Sequence, residues 1–64
     1  MKFSIIKVKG FEILEIYKDN IFEYYVKPYG KNNYIFAFGV MDRFTDCQLI
    51  VLAENGYFDN FEEE

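Results

Sequence analysis

The chain has 64 residues, of which 52% are hydrophobic and 22% aromatic, and it carries seven basic and eleven acidic side chains for a formal charge of −4. A single cysteine excludes an internal disulfide, and the lack of histidine excludes Ser–His and Cys–His nucleophiles and an ordinary zinc site. So short a chain makes one domain with a thin core, because it buries only about 60% of its extended surface.

Phe3 to Lys9 reads as a first strand, in which Phe3 and Ile5 alternate with Ser4, and Ile6 and Val8 with Lys7 and Lys9. The alternation slips at Ile5-Ile6, which means either a bulge or partial cover on both faces. Gly10 marks a turn. Phe11 to Tyr17 is a second strand, with Glu12 and Glu15 flanking the apolar doublet Ile13-Leu14. Lys18-Asp19-Asn20 predicts a tight turn, since Asp and Asn tolerate positive φ.

Ile21 to Lys27 is the third strand, with Phe22, Tyr24 and Val26 on one face and Glu23, Tyr25 and Lys27 on the other. Pro28 ends it, because it has no N–H for the ladder. A looser loop over 29–33 leads to Tyr34–Met41, the most apolar strand. Its large residues Tyr34, Phe36, Phe38 and Val40 alternate with Ile35, Ala37, Gly39 and Met41. The large set is expected under the helix, where volume must be filled. Ala37 and Gly39 would then leave a shallow strip on the opposite face.

The chain's only helix is expected within Phe44–Gly56. Thr45 can cap its N-terminus, Gln48 can complete a capping box, and Phe44 with Leu49 has the spacing of a hydrophobic staple. Asn55-Gly56 supplies a left-handed stop. Leu49, Ile50, Leu52 and Ala53 are expected to share the inward side, and Gln48, Glu54 and Asn55 the outward one. Tyr57 and Phe58 are expected to fold back on the sheet. The sum is an α+β domain over 1–61, a four-stranded antiparallel β-meander with one C-terminal helix packed on one face, followed by an acidic tail at 62–64.

Little catalytic chemistry is legible. Cys47 falls in the first helical turn, where the helix dipole favours a thiolate, but its size suits a small buried hydrophobe and we read it as that. Asp42 and Asp46 lack the cleft that carboxylate catalysis needs. Neither Asp42-x-x-x-Asp46 nor the acids from Asp59 to Glu64 form the ligand ladder of a calcium loop. The four glycines are isolated, so no phosphate-cradling loop is expected. We therefore expect no enzyme, cofactor or metal.

The charge is unevenly spread. Residues 1–31 carry six Lys against four acids, a net of +2, whereas 32–64 carry Arg43 against seven acids, a net of −6. An acidic surface with embedded aromatics suits docking into a basic groove. The expected function is therefore a small protein-binding module, with Asp42, Asp46, Glu54, Asp59, Glu62 and Glu63 as its acidic set and Tyr57 and Phe58 as anchors. In size, charge and architecture alone the chain resembles the small acidic inhibitors of phages and mobile elements, anti-CRISPR proteins among them. That resemblance implies occlusion of a basic nucleic-acid-binding surface and assigns no residue a role. One alternative is a structural homodimer joined through the open sheet face or an edge strand. Another is a single-strand nucleic-acid binder using Tyr34, Phe36 and Phe38 with Lys27 and Lys31. Met1-Lys2 precedes only short apolar runs, so no signal peptide or membrane span is expected and the cytoplasm is the predicted setting.

Overall fold

In the computed structural model, which describes residues 2–8 and 10–59, four strands are followed by one helix. The strands are β1 (Lys2–Val8), β2 (Phe11–Lys18), β3 (Ile21–Pro28) and β4 (Ile35–Val40), and the helix is α1 (Asp46–Glu54). The strands lie side by side in chain order, each antiparallel to the next. The helix and the turn behind it cover one face. The expected tail at 62–64, with Glu62 and Glu63, lies outside the described residues.

Turn chemistry sets the register. Asp19 and Asn20 both take positive φ, 55° and 66°. This two-residue turn matches the right-handed twist of the strands it joins and pairs Lys18 with Ile21. At the other end of the sheet, Pro28 closes β3 opposite Phe11, and the Tyr29 N–H donates to the Gly10 carbonyl at 2.8 Å. The ladder thus continues one step past the residue that cannot donate.

The β1–β2 register runs unbroken from Lys2↔Tyr17 to Val8↔Phe11. The slip at Ile5-Ile6 is therefore not a bulge: Ile6 faces the core opposite Ile13, and Ile5 faces the other way opposite Leu14. Both faces of the sheet are apolar there.

The bulge lies in β4 instead. Tyr24 pairs with Phe38, but the next residue, Tyr25, pairs with Phe36, so Ala37 is the extra residue. The strand's alternation inverts across it. Phe38 and Val40 face the helix beside Tyr24 and Phe22, as expected, whereas Phe36 turns to the open face and Ile35 takes its place against the core opposite Val26. Placing Tyr34 and Phe36 under the helix is thereby corrected. The expected Ala37–Gly39 strip does not form either, because Ala37 packs on the core side. The Phe36 ring instead leans over Gly39, within 3.9 Å of where a Cβ would stand. An aromatic side chain covering a strand glycine restores apolar contact that the glycine lacks.

The helix starts and stops where its caps predict. Thr45 Oγ1 accepts from the Gln48 N–H at 3.2 Å, and Gln48 Oε1 accepts from the Thr45 N–H at 2.8 Å, which completes the capping box. At the far end, the Tyr57 N–H reaches the Leu52 carbonyl at 3.0 Å and the Gly56 N–H reaches that of Ala53 at 3.1 Å. This pairing is a Schellman close, and it requires the left-handed φ of 81° that Gly56 adopts. Leu49 and Ala53 are fully buried and Leu52 partly so, but Ile50 is exposed, so the helix buries a narrower stripe than expected.

The core is Val8, Ile13, Tyr24, Val26, Leu49, Ala53 and Phe58. Phe58 folds back from the Schellman turn and packs its ring 5.9 Å from that of Phe11. Tyr57, its neighbour, stays 44% exposed with its ring 6.0 Å from Phe38.

Candidate functional site

The fold creates three places where polar or apolar groups gather: a buried network, the outer side of the helix segment, and the open sheet face.

The network centres on Glu15. Phe11, Ile13, Glu15 and Tyr17 alternate inward along β2, so a carboxylate enters the core, where only 6% of its residue surface stays accessible. Burying a charge is costly unless it is paired and hydrogen-bonded. Here the Tyr24 hydroxyl donates to Glu15 Oε2 at 2.6 Å, Arg43 Nε donates at 3.1 Å, and Ser4 Oγ donates to Oε1 at 3.2 Å. The Tyr24 hydroxyl in turn accepts from the Phe44 N–H at 2.8 Å. The cluster thus ties β1, β2 and β3 to the link that enters α1. Its groups satisfy one another, so we read it as a clamp on the helix entry rather than a reacting centre. In the sequence Glu15 stands at the flank of the apolar doublet Ile13-Leu14. The available signal was a charge at an inward alternate position between Ile13 and Tyr17.

Burial raises the Tyr24 hydroxyl to about 12, with the hydrogen bond to Glu15 pushing the same way. Tyr34 also rises to about 12, mainly because its hydroxyl donates to Glu12 on the open face. The same bond is the main cause holding the Glu12 carboxyl below its ordinary range. Tyrosinate absorbance is therefore expected to show two of the six tyrosines ionising near pH 12. Tyr24→Phe and Tyr34→Phe are each expected to remove one of them, and an unchanged late phase in both would refute these contacts. Because the folded Tyr24 value exceeds the ordinary tyrosine value, its stabilising effect is complete below about pH 10 and is lost as pH rises toward 12.

The helix segment carries the acidic residues singled out from the sequence. Asp42 lies in the β4–α1 link, Asp46 in the first helical turn, Glu54 in the last, and Asp59 beyond the Schellman close. All four are exposed, and neither of the two ion pairs among the described residues, Lys27–Glu12 and Arg43–Glu15, uses them. Phe58 is corrected: it is sealed in the core and has no surface to offer as an anchor. Cys47 is corrected in the opposite sense, being exposed rather than buried. It stands two residues from Leu49, about 200° around the helix, and so on the outward side. With Phe44, Gln48, Val51 and Leu52 it lines a shallow apolar hollow of about 320 Å³.

The open sheet face is an exposed apolar surface with no covering element among the described residues. Phe3, Ile5 and Phe36 are 68%, 51% and 53% exposed, and Leu14, Ile16 and Tyr25 lie between them. Of the rings considered as a base-stacking platform, Phe38 is on the core side, whereas Phe36 and Tyr34 are on this one. The Lys27 ammonium sits 5.2 Å from the centre of the Tyr34 ring and pairs with Glu12 at 3.7 Å. Phosphate would therefore meet two carboxylates here, Glu12 and Glu23, the latter accepting from the Tyr25 hydroxyl at 3.0 Å.

Among the described residues no three or more Cys, Asp or Glu side chains gather as a metal site, and no helix is long and apolar enough to cross a membrane. The molecule is thus a two-layer α+β domain with an acidic helix layer and an apolar sheet face. Comparisons with protein-family models, curated proteins and solved structures find no match.

Proposed function

We propose that this chain is a small cytoplasmic protein-binding module, an inhibitor of the phage or mobile-element kind that covers a basic nucleic-acid-binding surface on its target. The observation that carries this reading is the charge of the helix layer. Over residues 41–59 the only cation is Arg43, and it is committed to Glu15, whereas Asp42, Asp46, Glu54 and Asp59 face solvent outside any ion pair among the described residues. A surface of one sign steers an oppositely charged partner and speeds encounter. The hollow lined by Phe44, Cys47, Val51 and Leu52 offers such a partner an apolar seat among the carboxylates. Half-exposed Tyr57 is the aromatic anchor that remains once Phe58 is assigned to the core.

The test is capture from a bacterial lysate with the intact chain as bait, at low and at high salt. A basic nucleic-acid-binding protein held at low salt and released at high salt is the expected result. Added DNA is expected to compete for it. Reversing Asp42, Asp46, Glu54 and Asp59 to Lys is expected to weaken capture on the order of tenfold or more. These side chains are all exposed, so the variant keeps its core. Capture that ignores both salt and reversal would sink the reading.

A further inference from the structure

We infer that the open sheet face is covered by the same face of a second copy of this chain, giving a symmetric dimer whose two helices point outward. This rests on the surface opposite the acidic layer and stands or falls separately from the docking function.

Three observations select a second copy as the occupant. The first is charge. Repeated outward, the acidic helix layer would repel its own kind, but the open face carries Lys7, Lys18 and Lys27 against Glu12 and Glu23 and is close to neutral. It is the broad face that two chains of net charge −4 can bring together at least cost. The second is size. The molecule measures 30 × 24 × 16 Å, so the outline of its broad side is at most about 700 Å². That is near the roughly 800 Å² that each partner gives to a standard interface.

The third is self-complementarity along β2. The residues it presents on this face are Glu12, Leu14, Ile16 and Lys18. A two-fold axis in the plane of contact and perpendicular to the strands lays β2 antiparallel over its symmetry mate. Leu14 then meets Ile16 of the second copy, and Glu12 meets its Lys18, each contact occurring twice as an isologous interface requires. The cross-strand partners follow, so that Ile5, opposite Leu14, comes over Phe3 of the other copy, opposite Ile16. Along β1 and β2 apolar thus covers apolar, and acid covers base; on β3 the same operation lays the Tyr25 hydroxyl over Glu23 of the other copy and Lys27 over its Ile21. Sheets stacked in this way keep their strands within about 30° of parallel and their layers about 10 Å apart. The shallow groove lined by Phe3, Ile5, Leu14, Ile16 and Tyr34 takes the rings and methyls of the mate.

Sedimentation of the intact chain across micromolar to millimolar concentration tests this directly. A species of twice 7.7 kDa is expected to dominate before the millimolar end. Ile5→Lys, at a position already half in water, is expected to give a folded monomer, with unchanged far-ultraviolet circular dichroism, and to weaken association at least tenfold. Glu12→Lys and Lys18→Glu are each expected to weaken it. The double exchange Glu12→Lys/Lys18→Glu is expected to recover part of it over Glu12→Lys alone, because the two positions then meet across the axis with their charges swapped, although position 12 no longer holds Tyr34 and Lys27. A chain that stays monomeric at millimolar concentration overturns the proposal. So does a dimer indifferent to Ile5→Lys, which would be joined elsewhere, and so does a monomer whose tyrosine fluorescence is quenched by oligo-deoxythymidine, which would make this face a nucleic-acid seat.

Discussion

Phe58→Ala is expected to lower stability by about 3–5 kcal/mol, the range for removing a fully buried aromatic side chain. Phe58 has no accessible surface and lies in the same core as Ile13, Leu49 and Ala53, with its ring against Phe11. The cost is large because the whole ring is enclosed by the core. The Schellman close fixes where residue 58 leaves the helix, and Gly56 already occupies the left-handed turn. Domain stabilities of roughly 0.05–0.15 kcal/mol per residue put a chain of 64 residues at only about 3–10 kcal/mol. The variant is therefore expected to be largely unfolded at 25 °C or to lose most of its urea midpoint, whereas Tyr57→Ala, at a half-exposed ring, costs far less. A loss under about 1 kcal/mol in Phe58→Ala would mean that the segment after the helix is not part of the core.

Tyr24→Phe is the second large effect, at about 2–3 kcal/mol. The substitution leaves ring packing intact and removes only the hydroxyl. That one oxygen donates to Glu15 at 2.6 Å and accepts from the Phe44 N–H at 2.8 Å, so its loss leaves the buried carboxylate oxygen with Arg43 alone and takes the acceptor from a backbone donor. Hydrogen bonds to charged groups contribute about 1.5–3 kcal/mol, and an unsatisfied buried partner adds its own desolvation cost. The partner substitution Glu15→Leu removes the charge that needs the hydroxyl. The double variant Glu15→Leu/Tyr24→Phe is accordingly expected to be more stable than the two single losses added together, by about 1 kcal/mol or more. Urea denaturation of all four proteins closes the cycle. Strict additivity would show that Glu15 and Tyr24 do not depend on each other.

The elements that the sequence disclosed are those whose causes are local. Thr45 and Gln48 are three residues apart, Asn55 and Gly56 are adjacent, and Asp19-Asn20 makes a turn by its own side-chain chemistry. Each therefore announces itself within a short window. What escaped reading depends on partners far along the chain. Tyr34–Met41 is apolar at both odd and even positions, so a period of two gives no sign of which set faces inward. Only the pairing of Tyr25 with Phe36, and of Val26 with Ile35, fixes the break at Ala37. Glu15 is likewise held by Tyr24, nine residues on, and by Arg43, twenty-eight residues on. Asp42, Asp46, Glu54 and Asp59 were legible as charges, and all four are exposed. Phe58 was legible as an aromatic next to Tyr57, but which of the two would turn inward depends on the geometry of the helix close.

The inserted Ala37 has a consequence for how this molecule can change. Drawing it into the ladder opposite Tyr25 would slide the first half of β4 by one step, exchanging Ile35 for Phe36 at the interior and taking the exposed ring out of solvent. That slip would change how oily this edge of the open side is, with no residue added or removed and no charge altered. Losing Ala37 outright would instead leave Phe36 against Tyr25 and Ile35 against Val26, so the shorter ribbon would keep the same two sides.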